Sequence, residues 1–374
     1  MIKKFFSPLF LRHEGSILAL DGIRSFAILM VIAFHAQDLI FQVHQKESFL
    51  SKVPPYIGGW AGVPLFFALS GYLIGKQVWK ELKVTQTLEF WPFFFKRAFR
   101  IWPLFYFLFF LFWLFPYREN VTDYWQNAFF LSNYFGDNGP IPGSWSLATE
   151  EQFYLLLPMA LGIFSVISGK RFMLSHWRKL LLGLLLLPPL FRVLTWYYIL
   201  KMDHFDVSVF NLHIYRPFHT HADSLLMGLI LANFEIDRGL KKIDGMKPWI
   251  FLGSTFLFGV LSFKSKVFLN FFGVGLFATT LIWFCLITEN ILTKFLSHPF
   301  FGVISKLSFG MYLIHWPCYY LMKKCHLVNW VGIPLEIELV LVTLIGISFS
   351  IIFSSLNYLL IEKPFLDIRK KLLT

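Results

Sequence analysis

Residues 20–36 read LDGIRSFAILMVIAFHA, a run of membrane-helix composition that carries a guanidinium at Arg24 and an imidazole at His35. An ionisable group inside a membrane span is costly unless it is paired, hydrated or used, so the two residues mark function by default. Eleven helical steps of about 100° bring the chain back to within roughly 20° of its starting face, which points both side chains the same way. At about 1.5 Å per residue they lie about 16 Å apart, roughly half the hydrocarbon thickness. They therefore line one path at two depths and are not a contact pair.

The rest of the chain has the same character. Its 374 residues are 56% hydrophobic and 20% aromatic, with 47 Phe, and the mean hydropathy is +0.61. Soluble domains are far less apolar, and the expected fold is all-α, a polytopic membrane helix bundle. Apolar runs give about ten spans, at 17–40, 58–75, 101–117, 147–168, 180–200, 218–234, 248–263, 267–288, 303–322 and 335–361. The second and seventh are short enough to be tilted, broken or partly re-entrant.

The formal charge of +12 raises nucleic acid as a partner, but the placement of the charges explains it better. With the N-terminus inside, 23 of the 34 Lys and Arg fall on cytoplasmic segments and nine on external loops. That bias puts both termini in the cytoplasm and leaves no role for nucleic acid. The N-terminal MIKK resembles the start of a signal sequence, yet the apolar run after it contains Asp21 and Arg24, and cleavage would remove His35; a retained first helix is expected. Cys285, Cys318 and Cys325 have no metal spacing and are expected to be packing residues. With no internal repeat or low-complexity linker, residues 1–374 are expected to form a single membrane domain without an appended soluble domain.

Further polar groups recur at the span ends. In KRAFRIWPLFYF (96–107), Arg97 and Arg100 are three apart and share a helical face. Paired guanidinium forks suit phosphate groups, and the same placement suits ordinary cytoplasmic anchors. In GSWSLATEEQFYLLLP (143–158), Glu150 and Glu151 open the fourth span, where a helix N-terminus favours negative charge; acidic capping from Ser146 onward is the simpler reading. Trp145 and Tyr154 also fit as interfacial aromatics.

In HTHADSLLMG (219–228), His219, His221 and Asp223 alternate in a way that suggests a metal site. Residues two apart on a helix diverge by about 200°, so only His219 and Asp223 share a face, and a hydrogen bond between them lining the same cavity is preferred over a metal. Arg192 in the fifth span needs an acidic partner or water, and the sequence does not say which. In SFGMYLIHWP (308–317), Tyr312 and His315 are three apart; an isolated membrane His is most simply an interfacial or hydrogen-bonded residue. Glu362 in YLLIEKPF (358–365) most simply marks a helix end.

Taken in order, these segments together with GVPLFFALSGYLIG (62–75) resemble the acyltransferase-3 family of integral membrane O-acyltransferases, from about Leu20 to Phe365. The family's Arg and His of the first helix fall on Arg24 and His35. Its Arg-x-x-Arg motif falls on Arg97 and Arg100, and its Trp-Ser-Leu…Glu…Phe-Tyr pattern on Trp145, Ser146, Glu150, Phe153 and Tyr154. The resemblance implies transfer of an acyl group, by default acetyl, from acetyl-CoA or another acyl-CoA to a hydroxyl of a carbohydrate, glycolipid or other cell-surface or exported acceptor, with no metal. It also implies a multi-pass protein of the bacterial inner membrane, in contact with membrane lipids.

The chain departs from many relatives at Pro64, where they carry an acidic residue, and at His221, where they carry Arg, so neither position is expected to be catalytic. Some relatives add an extracytoplasmic hydrolase-like domain; here the sequence ends twelve residues beyond Glu362.

The implied mechanism places the acyl-CoA phosphates on Arg97 and Arg100, with Arg24 next to the arriving thioester. Catalysis is expected from His35, Arg24 and Glu150. His35 takes the acceptor proton, or is itself acylated, with direct displacement preferred; Glu150 holds the imidazolium or binds sugar hydroxyls. Trp145, Ser146, Tyr154, Asp223 and His315 are the expected acceptor-binding residues. Buried Arg, His, Glu and Asp also line solute or proton paths in secondary transporters, which is the alternative reading; no matching pair of broken helices supports it.

Overall fold

A computed structural model describes residues 7–11, 17–168, 174–200, 206–262 and 269–373. The MIKK segment and the first two residues of the expected span 267–288 lie outside the described residues. No strand occurs among those described.

The main helices are α1 (Leu18–His44), α2 (Gly62–Thr85), α3 (Phe90–Leu114), α4 (Trp145–Ser168), α5 (Leu174–Leu184), α6 (Leu187–Ile199), α7 (Asp223–Arg238), α8 (Lys247–Ser262), α9 (Asn270–Ile287), α10 (Pro299–Lys324), α11 (Leu335–Asn357) and α12 (Lys363–Leu373). Each expected span overlaps one of these helices or a consecutive pair, and the protein is an integral membrane protein. Five stretches are long and apolar enough to cross a bilayer by length and composition alone: α1, α3, Leu174–Ile199, α9 and Leu335–Leu372. Helices α7 and α8 have 16 residues each, about 24 Å, against a hydrocarbon core of about 30 Å.

Two boundaries differ from the sequence reading in ways that matter for the site. Helix α2 is an unbroken 24-residue helix, not a broken one. Helix α3 begins at Phe90, well before the expected start of the third span at residue 101, so Arg97 and Arg100 stand within the helix. Of the cysteines, Cys285 and Cys318 are buried as packing residues, whereas Cys325 is exposed at the end of α10.

Helix α1 is the centre of the molecule. Ile23, Ala27 and Val31 join a core shared with α2, α3, α4, α7 and α9. Ile28, Ile32, Ala36 and Leu39 join a second core with α10 and α11. On a helical wheel these two apolar faces lie on either side of the line through Arg24 and His35, at roughly 60° to 80° from it. The polar stripe therefore looks into the seam between the two cores.

Short-range contacts fix α1 there. Ser25 Oγ donates to the Asp21 and Phe301 carbonyls at 2.8 and 2.7 Å, and Tyr319 of α10 donates to the Ile32 carbonyl at 2.7 Å. Across the bundle α2 and α7 approach until Gly71 lies against the Leu225 backbone and Gly228 against that of Ala68. A Cβ at either position would collide with the facing carbonyl oxygen, which is the small-residue solution to helix packing in lipid.

Candidate active site

Two cavities follow the seam. The outer one, of about 760 Å³, is bounded by His35, Asp38, Trp60, Trp145, Tyr312, His315 and Trp316 together with loop residues Arg118, Asp137 and Arg216. The inner one, of about 140 Å³, is bounded by Arg24, Ser70, Arg97, Arg100, Ser146, Glu150 and Tyr154. Val63 and Tyr312 line both. A third cavity, of about 200 Å³, continues from the inner one past Arg24 and Arg100 to Asp21, Lys306 and Glu362. Arg24 and His35 thus belong to different chambers on one line, as eleven helical steps require.

In the inner chamber three guanidinium groups converge. Arg97 donates to Gln77 Oε1 at 2.6 Å. Arg24 reaches Ser305 Oγ at 3.5 Å, and Ser305 in turn donates to Asp21 at 2.8 Å. Glu150 sits among them, accepting from Ser70 at 2.6 Å and from Tyr154 at 3.2 Å. A set of convergent cations around a small polar space suits an anionic ligand, phosphate above all.

The expectation that Glu150 holds the imidazolium does not fit this geometry. Glu150 lies five residues into α4, about 7.5 Å beyond Trp145 along the axis, and faces the arginines. The carboxylate against His35 is Asp38, with Oδ2 at 3.0 Å from Nδ1. Sequence reasoning missed Asp38, although its signal was present: it follows His35 by three residues and shares its helical face.

Around His35 the wall is aromatic. Its ring stacks on His315 with centroids 5.2 Å apart and packs on Trp316 at 4.5 Å. His315 Nδ1 donates to the Tyr312 carbonyl at 2.7 Å, and its Nε2 is buried with no hydrogen-bond partner among the described residues. Trp145 lines the same cavity, packed on Tyr215 and His221. Ser146 and Tyr154, from the same segment, face the inner chamber.

A one-turn π-helix at Asn211–Tyr215 carries Tyr215 and Arg216 to the cavity wall. The loop before α4 forms another side. Asp137 there accepts from the Gly143 N–H at 2.9 Å and has Arg216 at 4.0 Å. Burial pushes its carboxyl up to about 6, against the opposing pull of Arg216 and the Gly143 N–H.

Asp223 takes no part in either chamber. Both its oxygens accept from Arg192 at 2.8 Å in a fully buried pair, and Arg192 also donates to the Thr220 carbonyl. The acceptor-binding expectation for Asp223 is therefore corrected: it is the acidic partner that Arg192 needs. Nor does it meet His219, which bonds to the Tyr134 hydroxyl at 3.1 Å. His221 donates to the Tyr215 carbonyl. Among the described residues no group of three or more His, Cys, Asp or Glu is gathered for a metal.

Residues 17–358 match the family described as an acyltransferase domain, acyltransferase-3. The chain belongs to the acyltransferase-3 family. Both chambers lie within the reach of that match, while Glu362 of the third cavity falls beyond it. Among its relatives, the O-acetyltransferase OatA of Staphylococcus aureus strain NCTC 8325 / PS 47 is 26% identical over 400 aligned positions, covering 99% of this chain and 59% of the relative. The OatA proteins of strains COL and MRSA252 match to the same extent. This acyltransferase-3 chain spans 59% of the length of the curated relatives it matches. No solved structure matches it.

Proposed function

We propose that the chain is an O-acetyltransferase that moves acetyl from acetyl-CoA, or a short acyl group from another acyl-CoA, to a hydroxyl of a carbohydrate or glycolipid on the far side of the bacterial inner membrane. In this reading all ten helical spans cross the bilayer and both termini are cytoplasmic, so the inner chamber faces the donor and the outer cavity the acceptor. The observation that carries it is the arrangement along one seam of a three-arginine chamber and a His–Asp pair. Membership of the acyltransferase-3 family and the O-acetyltransferase relatives support the same chemistry.

Arg97 and Arg100 hold the donor phosphates, and Arg24 stands beside the thioester arm. Asp38 accepts from His35 Nδ1–H, which fixes the tautomer and leaves Nε2 free to take the acceptor proton. The hydroxyl oxygen then bonds to the thioester carbonyl carbon, the C–S bond breaks, and the proton held by His35 goes to the departing CoA thiolate. Trp145, Trp316 and His315 present flat faces to a sugar ring, and Ser146 and Tyr154 line the approach of the acyl group. Glu150 offsets part of the arginine charge when the inner chamber is empty.

Purified protein in proteoliposomes, given radiolabelled acetyl-CoA and a panel of surface saccharides, should release free CoA and transfer label to saccharide as an alkali-labile ester. Solute movement across the same liposomes with no consumption of acetyl-CoA would replace this reading with the transporter one.

A further inference from the structure

The acyl-transfer reading leaves a physical gap, since the reacting atoms must come to about 3–3.5 Å of each other while their chambers are separate. What stands between them is named by the walls that both cavities share, Val63 and Tyr312. We infer that Tyr312 is a positioning residue that acts as a movable partition: in the observed position it seals the donor thioester from the outer cavity, and it turns aside when an acceptor occupies that cavity.

The Tyr312 side chain is held by two hydrogen bonds and nothing stronger. Its hydroxyl donates to the Gly143 carbonyl at 2.8 Å, and with that proton committed it accepts from Ser146 Oγ at 2.6 Å. Both anchors belong to the start of α4 and the loop before it. Gly143 has φ +78°, a conformation that glycine adopts without strain, so this backbone carbonyl is aimed at Tyr312 by a residue suited to the task. The ring itself meets Phe66 edge-on at 6.5 Å and His315 at 5.7 Å, so the partition touches the same imidazole that stacks on His35.

The helix beneath it is also interrupted. Pro317 lies inside α10 and has no N–H to give to the carbonyl four residues back, that of Leu313, which follows Tyr312 directly. A turn lacking one rung resists bending less than a complete one. Moving Tyr312 exchanges two hydrogen bonds to α4 and its loop for bonds to the hydroxyls of an acceptor that takes the place of the ring, a rearrangement of small net cost. It also frees the Ser146 hydroxyl, which faces the inner chamber, to donate to the thioester carbonyl as charge develops on it. An acceptor that displaces the ring thus opens the path and uncovers a donor in one motion, while water alone does not.

Release of CoA thiol from acetyl-CoA without any acceptor tests this in the full-length protein in proteoliposomes. Tyr312→Ala should raise acceptor-independent release about tenfold at unchanged KM for acetyl-CoA. Tyr312→Phe, which keeps the ring but loses both hydrogen bonds, should raise release by less, about three- to fivefold. Adding His35→Ala to Tyr312→Ala should return release to the parent level, because His35 is the base that activates the water admitted through the opened partition. If Tyr312→Ala does not accumulate in the membrane, Val63→Ala thins the same wall from α2 and should raise release in the same way.

Unchanged release in the opened variant, or a rise that persists without His35, would overturn the partition. Those results differ from failure of the proposed function, in which the parent protein itself consumes no acetyl-CoA with any acceptor.

Discussion

The inner and outer chambers share one helix and differ in almost everything else. The inner space of about 140 Å³ equals roughly five waters at about 30 Å³ each, and cations from α1 and α3 surround it. The outer space is about 760 Å³, walled by Trp, Tyr, Phe and His, with one His–Asp pair on α1. A small cationic site suits phosphate groups or the end of an acyl arm; a broad aromatic one suits a flat-faced sugar with hydroxyls to offer. The proposed function puts its two substrates at opposite ends of the seam, and substitutions that affect one end alone are the way to break that contrast.

His35→Ala should give the largest effect, a loss of acyl transfer on the order of 10³-fold with acetyl-CoA affinity unchanged. A matching loss of donor affinity would show that the chambers are not separate. Next comes Asp223→Ala, outside both. Removing the carboxylate that pairs with the buried Arg192 should cost about 3–5 kcal/mol of stability, read as a lowered midpoint of thermal unfolding in detergent. The fraction that remains folded should keep both substrate KM values. Replacing Arg97 and Arg100 together by Ala should raise KM for acetyl-CoA about 10²-fold and leave that for the acceptor alone; an unchanged donor KM would remove phosphate binding from this chamber.

The sequence made the long axis of this site readable, because helical periodicity is local. Arg24 and His35 announce their common face and their separation by number alone, and Arg97 and Arg100 do the same on α3. What it hid is whatever depends on how helices meet. Arg192 was recognised as needing a partner, but Asp223 is 31 residues away on another helix, and nothing in either segment names the other. Glu150 was placed at the helix start, and a few residues of axial rise carried it past the level of His35 to the arginines. Tyr312 stood in a legible motif, yet its place between two cavities exists only once α2, α4 and α10 converge. Asp38 is the opposite case, a purely local i+3 partner of His35 that the spacing rule already contained.

Asp137 gives the smallest effect and the finest test of the comparison, since it belongs to the loop wall of the outer cavity alone. Burial raises its folded pKa to about 6 from the ordinary 3.8. Below about pH 4 the carboxyl is protonated in both folded and unfolded chains, and the stability associated with its neutral, buried form is fully present. Between about 4 and 6 the unfolded chain gives up its proton while the folded one keeps it, so stability falls as pH rises and levels off above about 6. Asp137→Asn is neutral throughout and lacks this slope. The unfolding midpoint of the variant, followed by tryptophan fluorescence, should therefore gain about 2–4 °C on the parent between pH 4.5 and pH 7. Acetyl-CoA affinity, which the proposed function places in the inner chamber, should show no difference between the two proteins over that range. Parallel midpoint curves would mean that Asp137 is not buried as the loop wall requires, and a donor affinity that followed the same titration would mean that the outer wall is felt in the inner chamber.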